Sequence, residues 1–367
     1  MSKLKSKPVK SHRFYIIDLL RFVAAFTVVI FHYAFRGAAA DDMTTVSFDL
    51  LNPIARYGYL GFHLFFIISG FVIILSGYKK TASEFVISRM VRLYPAYWFS
   101  VTFTFLVILM MGAPRYHAEV LQYVANLTML HGYFGVKSID GVYWTLMVEL
   151  KFYFLVFLLI LSNQFKKLKY YLGVWAALSV ILTKFNISYL SFFLFPEWSY
   201  YFIAGACFYL IYKEGAKPYY LILIFITYIM ALYNASRGVA YMNSLYSCEF
   251  RLSIVAAIIS LFYTVFFIVS TRGSSNVLKV LNNSRFMALG VLTYPLYLIH
   301  QNIGFIIFNY LNPFLNKYLI LLSVVSAMLF TSYLIHHRVE KKYSSGLRNI
   351  LNQMYASLHG FTSIRQR

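Results

Sequence analysis

Arg21 and His32 stand eleven residues apart on one apolar segment, IIDLLRFVAAFTVVIFHYAF. At about 100° per residue they return to within roughly 20° of each other, about 16 Å apart along one helix face. Such a face carries a fixed cation at one end and a titratable base at the other. Imidazole is the usual general base because its ordinary pKa lies near neutrality, and a guanidinium binds anions. Asp18, three residues before Arg21, can pair with it and lower the cost of burying its charge. The plainer account is a snorkelling arginine and a packed histidine.

Three further groups carry comparable chemistry. In SRMVRLYPAYW, Arg89 and Arg92 are three residues apart, so on a helix both guanidinium forks converge on one phosphate-bearing ligand; the plainer role is helix anchoring. In YWTLMVELKFYF, Glu149 and Tyr153 share a face, Lys151 points elsewhere, and an Arg or His from another segment is the expected partner of the carboxylate. In TYPLYLIHQNIGF, Tyr294, Tyr297 and His300 repeat at threes beside Pro295, which is expected to kink the helix; polar side chains there often only satisfy freed backbone groups. Gly61, Ser69 and Gly70 are small residues suited to close helix approach, and His63 between them either packs or lines a cavity, packing being slightly favoured. No His, Cys and carboxylate cluster has metal-ligand spacing, so no metal is expected, and Cys207 and Cys248 suggest no disulfide framework.

The elements that must position these groups are membrane helices. Of the 367 residues 60% are hydrophobic and only 12% charged, with mean hydropathy +0.66, whereas a soluble domain carries about 25% charged residues. The expected fold is an all-α polytopic bundle of about ten spans, centred near residues 25, 67, 103, 152, 178, 205, 227, 261, 298 and 327. The stretch Val120–Leu130 is too short and polar to span and reads as external or re-entrant. With both termini cytoplasmic, inside segments collect about 23 of the 33 Lys and Arg and outside loops about 8, as the positive-inside rule requires. The first segment is too long for a signal-peptide core and contains Arg21, so it counts as a span. The net charge of +21 therefore orients helices and meets anionic lipid; nucleic acid is excluded as a partner. The chain divides into a basic N-terminus (1–13), one transmembrane domain (14–337) and a basic tail (338–367) expected to be amphipathic helix or disordered. No internal repeat of the transporter kind is evident. Aromatics make up 20% of the chain, enough for interfacial belts, so a single Tyr or Trp carries little weight.

Taken in order, these groups resemble the integral-membrane acyltransferase-3 family. The matching features are D-x-L-R with R-x10-H (Asp18, Arg21, His32), G-x-x-x-F-F-x-x-S-G (Gly61 to Gly70) and R-x-x-R-x-x-P-x-Y-W (Arg89, Arg92, Pro95, Trp98). W-[ST]-L-x-x-E-x-x-F-Y (Trp144 to Tyr153) and Y-x-L-Y-L-x-H (Tyr294 to His300) follow. The resemblance covers residues 14 to about 340. It implies transfer of an acyl group, usually acetyl, from acyl-CoA to a hydroxyl, commonly on a cell-surface carbohydrate. Arg21, His32, Arg89 and Arg92 fall on the family's usual functional positions. Position 63 departs from the acidic or amide residue frequent in relatives, and no room is expected for the C-terminal extracytoplasmic domain some relatives carry.

The resulting expectation is an O-acetyltransferase of the bacterial inner membrane. Acetyl-CoA is its donor substrate and no permanently bound cofactor is called for. Arg89 and Arg92 would grip the donor's phosphates from the cytoplasm. The pantetheine arm would follow a polar seam to His32, the general base, with Arg21, toward the cytoplasmic end of the same face, as the other catalytic candidate; an acyl-His32 intermediate is the alternative. Asp18, Trp144, Glu149, Tyr153, Tyr297 and His300 are supporting or acceptor-binding candidates, Glu149 or Tyr297 orienting His32 or binding the sugar. The rivals are a polysaccharide or lipid transporter without chemistry, and an acyltransferase with a small-molecule or lipid acceptor.

Overall fold

The computed structural model describes residues 14–40, 42–185, 187–271 and 283–364; the basic N-terminus (1–13) lies outside them. Among the described residues every regular element is helical. Seven helices are long and apolar enough to cross a membrane, or eight if a pair bent by 70° counts as one span. In chain order the bundle contains α1 (Tyr15–Phe31), α2 (Gly61–Gly77), α3 (Ala82–Met111), the short α4 (Val120–Leu127), α5 (Trp144–Leu161), α6 (Leu168–Lys184) and the short α7 (Ser188–Leu194). Then come α8 (Ser199–Glu214), α9 (Pro218–Tyr246), α10 (Leu252–Thr271), the bent pair α11 (Phe286–Ile299) and α12 (Gln301–Leu311), α13 (Lys317–Leu334) and α14 (Lys341–Ile364). A helix stands at each of the ten expected centres. Two of them, α6 and α8, have 17 and 16 residues, about 24–26 Å of helix, short of the roughly 30 Å hydrocarbon layer.

For α8 the reason is its place at the core. Every residue from Ser199 to Ile211 is buried, so the helix is covered by protein all round and needs no lipid-facing length. It crosses α2 backbone against backbone: a Cβ on Gly70 would lie 2.3 Å from the Phe202 carbonyl oxygen, and one on Gly205 2.1 Å from that of Ile67. Small residues permit the close approach from which membrane helices gain dispersion and packing energy. Gly70→Val should therefore destabilise the purified protein by at least about 1–3 kcal/mol, read as a fall in thermal unfolding midpoint. Gly346→Ala, on α14 with nothing near its Cβ position, should not lower it.

The Val120–Leu130 stretch forms α4 (Val120–Leu127), too short to cross, and packs along α3. Tyr94 and Tyr97 hydroxyls donate to the carbonyls of Thr128 (3.0 Å) and Asn126 (2.7 Å), and the Trp98 indole donates to Leu127 O (3.0 Å). The aromatic run of α3 thus satisfies carbonyls at the C-terminal end of α4. The tail is helical: α14 continues α13 through a π-helical turn at Ile335–Glu340 and lies on α3, where Ser344 Oγ bonds the Val91 carbonyl at 3.3 Å.

The expected kink at Pro295 is displaced. Pro295 stays inside α11, and the 70° break falls at His300. There side chains take over the backbone bonds: His300 Nδ1 donates to the carbonyls of Tyr297 (2.9 Å) and Leu296 (3.2 Å), and the Tyr143 hydroxyl donates to Leu298 O (3.3 Å). The Tyr33 hydroxyl donates to His300 O (2.5 Å), and Asn302 N donates to Asp140 Oδ2 (3.0 Å). A helix can unwind within a bundle only where such substitutes are at hand.

Candidate active site

Two of the cavities among the described residues lie along α1, one toward each end. The first, about 110 Å³, is lined by Arg21 of α1, Ser69 of α2, Arg89 and Arg92 of α3, Glu149 and Tyr153 of α5, and Tyr294 of α11. The spacing of Arg89 and Arg92 brings both into it, as expected. Arg21 NH1 lies 3.9 Å from Asp18 Oδ1, the anticipated i,i+3 pair. Asp18 is buried against Gly290, where a Cβ would come within 2.6 Å of its side chain, so α11 seats the pair. Glu149 differs from expectation. Its Oε1 accepts from Ser69 Oγ (2.6 Å) and the Tyr153 hydroxyl (2.8 Å), and among the described residues no Arg or His lies within ion-pair distance of it. Ser69 is therefore a polar partner as well as a small residue. The carboxylate faces the three arginines across the cavity and does not touch His32. Arg92 carries a partner the local sequence did not indicate: Glu340, at the end of the π-helical turn, holds its NH1 at 3.3 Å and accepts from His336 Nδ1 at 2.5 Å. Arg89 lies 5.8 Å from the Tyr153 ring and Arg92 5.6 Å from that of Tyr294.

The second cavity is larger, about 760 Å³, and holds His32, Arg36, Trp144, Trp198 and Arg237 in its walls. His32 begins the π-helical turn His32–Arg36 that ends α1, a departure from α geometry often found at functional sites. Its Nδ1 is 2.8 Å from Val28 O, so Nδ1 carries the proton. His300 Nδ1 is likewise protonated toward its carbonyls, which leaves His300 Nε2 as an acceptor 3.2 Å from His32 Nδ1. These partners assign the tautomers and leave the lone pair of His32 on Nε2, where Arg36 NH1 approaches to 3.4 Å. His300 thus orients His32, the part the sequence reading offered to Glu149 or Tyr297. Trp144 packs 5.2 Å from the Phe62 ring and 5.6 Å from Trp198. His63 is packed, as expected, with Nδ1 2.7 Å from the Tyr201 hydroxyl, and its ring also borders this cavity.

Phe62 and Tyr297 belong to the walls of both cavities. Tyr297 is fixed by Thr145 Oγ1 at 2.8 Å and by the Phe65 ring at 5.6 Å. An aromatic partition therefore separates Arg21 from His32, where the sequence suggested a polar seam. Residues the sequence reading missed are Arg36, one helical turn beyond His32 and assigned to a loop, and Trp198, Glu197 and Arg237, which line the second cavity from segments without a recognisable pattern.

The chain's residues 14–337 match the model of a family described as an acyltransferase domain. It is 30% identical to nodulation protein 10 of Rhizobium leguminosarum bv. viciae, over 47% of this chain and 52% of that one. It is 26% identical to a protein named "Putative acetyltransferase ORF330" of Acidianus two-tailed virus, over 48% and 57% respectively. The chain spans about half the length of the curated relatives it matches. No solved structure matches it. A family match over nearly the whole described bundle, on a chain whose five motifs line two cavities of one helical unit, leads to one conclusion: the chain belongs to the acyltransferase-3 family.

Proposed function

We propose that this protein is a membrane O-acyltransferase that moves an acetyl or other acyl group from acyl-CoA to a sugar hydroxyl of a glycan, in the inner membrane of a bacterium. The observation that carries this reading is the pair of cavities of different chemistry meeting at Phe62 and Tyr297. Three arginines suit a polyphosphate donor, and the Lys/Arg bias puts their end in the cytoplasm. The nucleotide would sit at the mouth near Arg92, whose side chain is 42% exposed. The opposite cavity, walled by Trp144 and Trp198 with scattered polar groups, suits a sugar. In the reaction the sugar hydroxyl gives its proton to His32 Nε2 while its oxygen attacks the thioester carbonyl. The C–S bond then breaks, and the imidazolium returns the proton to the departing thiolate. Arg36 is suited to steady the oxyanion of the tetrahedral intermediate. Tyr297 and Phe62 must part enough to admit the acyl end.

The test is NMR of the surface glycan from cells with and without the gene, together with acyl-CoA turnover by the purified protein. Ester resonances that vanish on deletion and return with the gene are expected. Unmodified ester content with impaired glycan export would overturn the reading in favour of transport.

A further inference from the structure

Between α5 and α6 the bundle leaves a seam with two parts. Toward one end it is an apolar groove of about 330 Å³, lined by Phe152 to Leu159 of α5, by Ser162 just past its end and by Leu168 to Leu178 of α6, a run of about 15 Å. Its outer surface is lipid-facing in character, with Phe154, Leu158 and Val174 exposed. About one turn further along, beyond Phe152, Leu178 and Leu194, lies a separate chamber of about 410 Å³ lined by Lys151, Ser191, Glu197 and Arg237. That chamber shares Glu197, Trp198, Asn234 and Arg237 with the His32 cavity. The charged compartment and the reaction cavity therefore share a wall, and the apolar slot ends against the compartment, with Phe152 next to Lys151, Leu178 one turn before Leu182, and Leu194 next to Phe195.

The charged compartment is only partly compensated. Among the described residues neither Lys151 nor Arg237 has a hydrogen bond or an ion pair, and the contacts of the Lys151 ammonium are ring faces, 4.1 Å from Phe192 and 5.9 Å from Tyr133. Glu197 is the one carboxylate in the wall, against two cations. Ser191 Oγ is buried there without a partner, although buried hydroxyls are ordinarily satisfied. A lysine in the middle of an apolar helix is expensive and by default has a ligand or partner. Two cations and a waiting hydroxyl, above a slot that accepts a hydrocarbon chain, are complementary to a lipid phosphate.

We infer that the acceptor arrives on a lipid phosphate anchor: the chain in the α5–α6 groove, the phosphate at Lys151, Arg237 and Ser191, and the glycan directed into the His32 cavity. This rests on the acyltransferase reading for what happens to the glycan, but the anchor site stands or falls by binding alone.

The experiment measures binding of a long polyprenyl diphosphate to the full chain in detergent, by native mass spectrometry. The variants are Lys151→Met/Arg237→Gln, and Leu178→Trp, which fills the groove and leaves both charges in place. Loss of two charged contacts should weaken binding about tenfold or more; Leu178→Trp should weaken it as well, and the unphosphorylated polyprenol should bind as poorly as the double variant. His32→Ala should bind like wild type. Equal binding by wild type and both variants overturns the site, as does no binding by wild type. Displacement by phosphatidylglycerol at equal concentration also overturns the assignment, by revealing a site for ordinary membrane lipid. If the protein acylates a soluble oligosaccharide but fails these tests, only the anchor site falls. If it binds the diphosphate but acylates no glycan, only the acyltransferase reading falls.

Discussion

Replacing His32 with alanine should reduce acyl transfer by roughly 10²–10⁴-fold, the usual range for a positioned base, while the protein still inserts and purifies as wild type. The loss should lie in kcat. The arginine cavity is separated from His32 by Phe62 and Tyr297, so the KM for acyl-CoA should change little, the pattern of an interaction made only in the transition state. His300→Ala provides the second arm. It removes the acceptor 3.2 Å from His32 Nδ1 without removing the base, so it should lower kcat less than His32→Ala. A folded His32→Ala protein with wild-type turnover would show that His32 is not the base. A burst of free CoA in the absence of acceptor, equal to the enzyme present and lost in His32→Ala, would identify acyl transfer to the imidazole itself.

Arg92→Lys is expected to weaken donor binding about tenfold although charge is kept, because an ammonium lacks the bidentate fork and loses a charge-assisted hydrogen bond. The effect should appear in the KM for acyl-CoA, with less change for the acceptor, since a contact remote from the reacting atoms contributes similarly in ground and transition states. Salt should weaken donor binding to wild type and do so less in the variant. The pairing with Glu340, at 3.3 Å, sharpens the test, because a lysine can retain that ion pair and the helix anchoring with it. If Arg92 serves only to hold α14 against α3, Arg92→Lys is silent in donor titrations at low and high salt.

Most of the ingredients were legible in the sequence because they follow from one helix at a time. Apolar length placed a helix at each expected centre, and the i,i+3 and i,i+4 spacings correctly grouped Asp18 with Arg21, Arg89 with Arg92, and Glu149 with Tyr153. That α4 does not span was legible for the same reason, since eight residues cannot cross a bilayer. Helical periodicity says which side chains share a face; it does not say what that face meets. Whether Glu149 answers a cation or a hydroxyl, and whether the break in α11–α12 falls at the proline or at a histidine able to bond two carbonyls, depended on neighbours from other helices.

By itself the sequence determined the class of the fold, the chemistry available and the helix faces that carry it, because hydropathy and spacing are properties of a single chain segment. Only the tertiary structure decided that His300 orients His32 from 268 positions away, that Glu340 reaches Arg92, that a buried α8 needs no full membrane span, and that an aromatic partition divides two cavities along one face of α1. Each of these is a contact between helices distant in the chain, set by close packing at glycine crossings and by the need to satisfy every buried polar group.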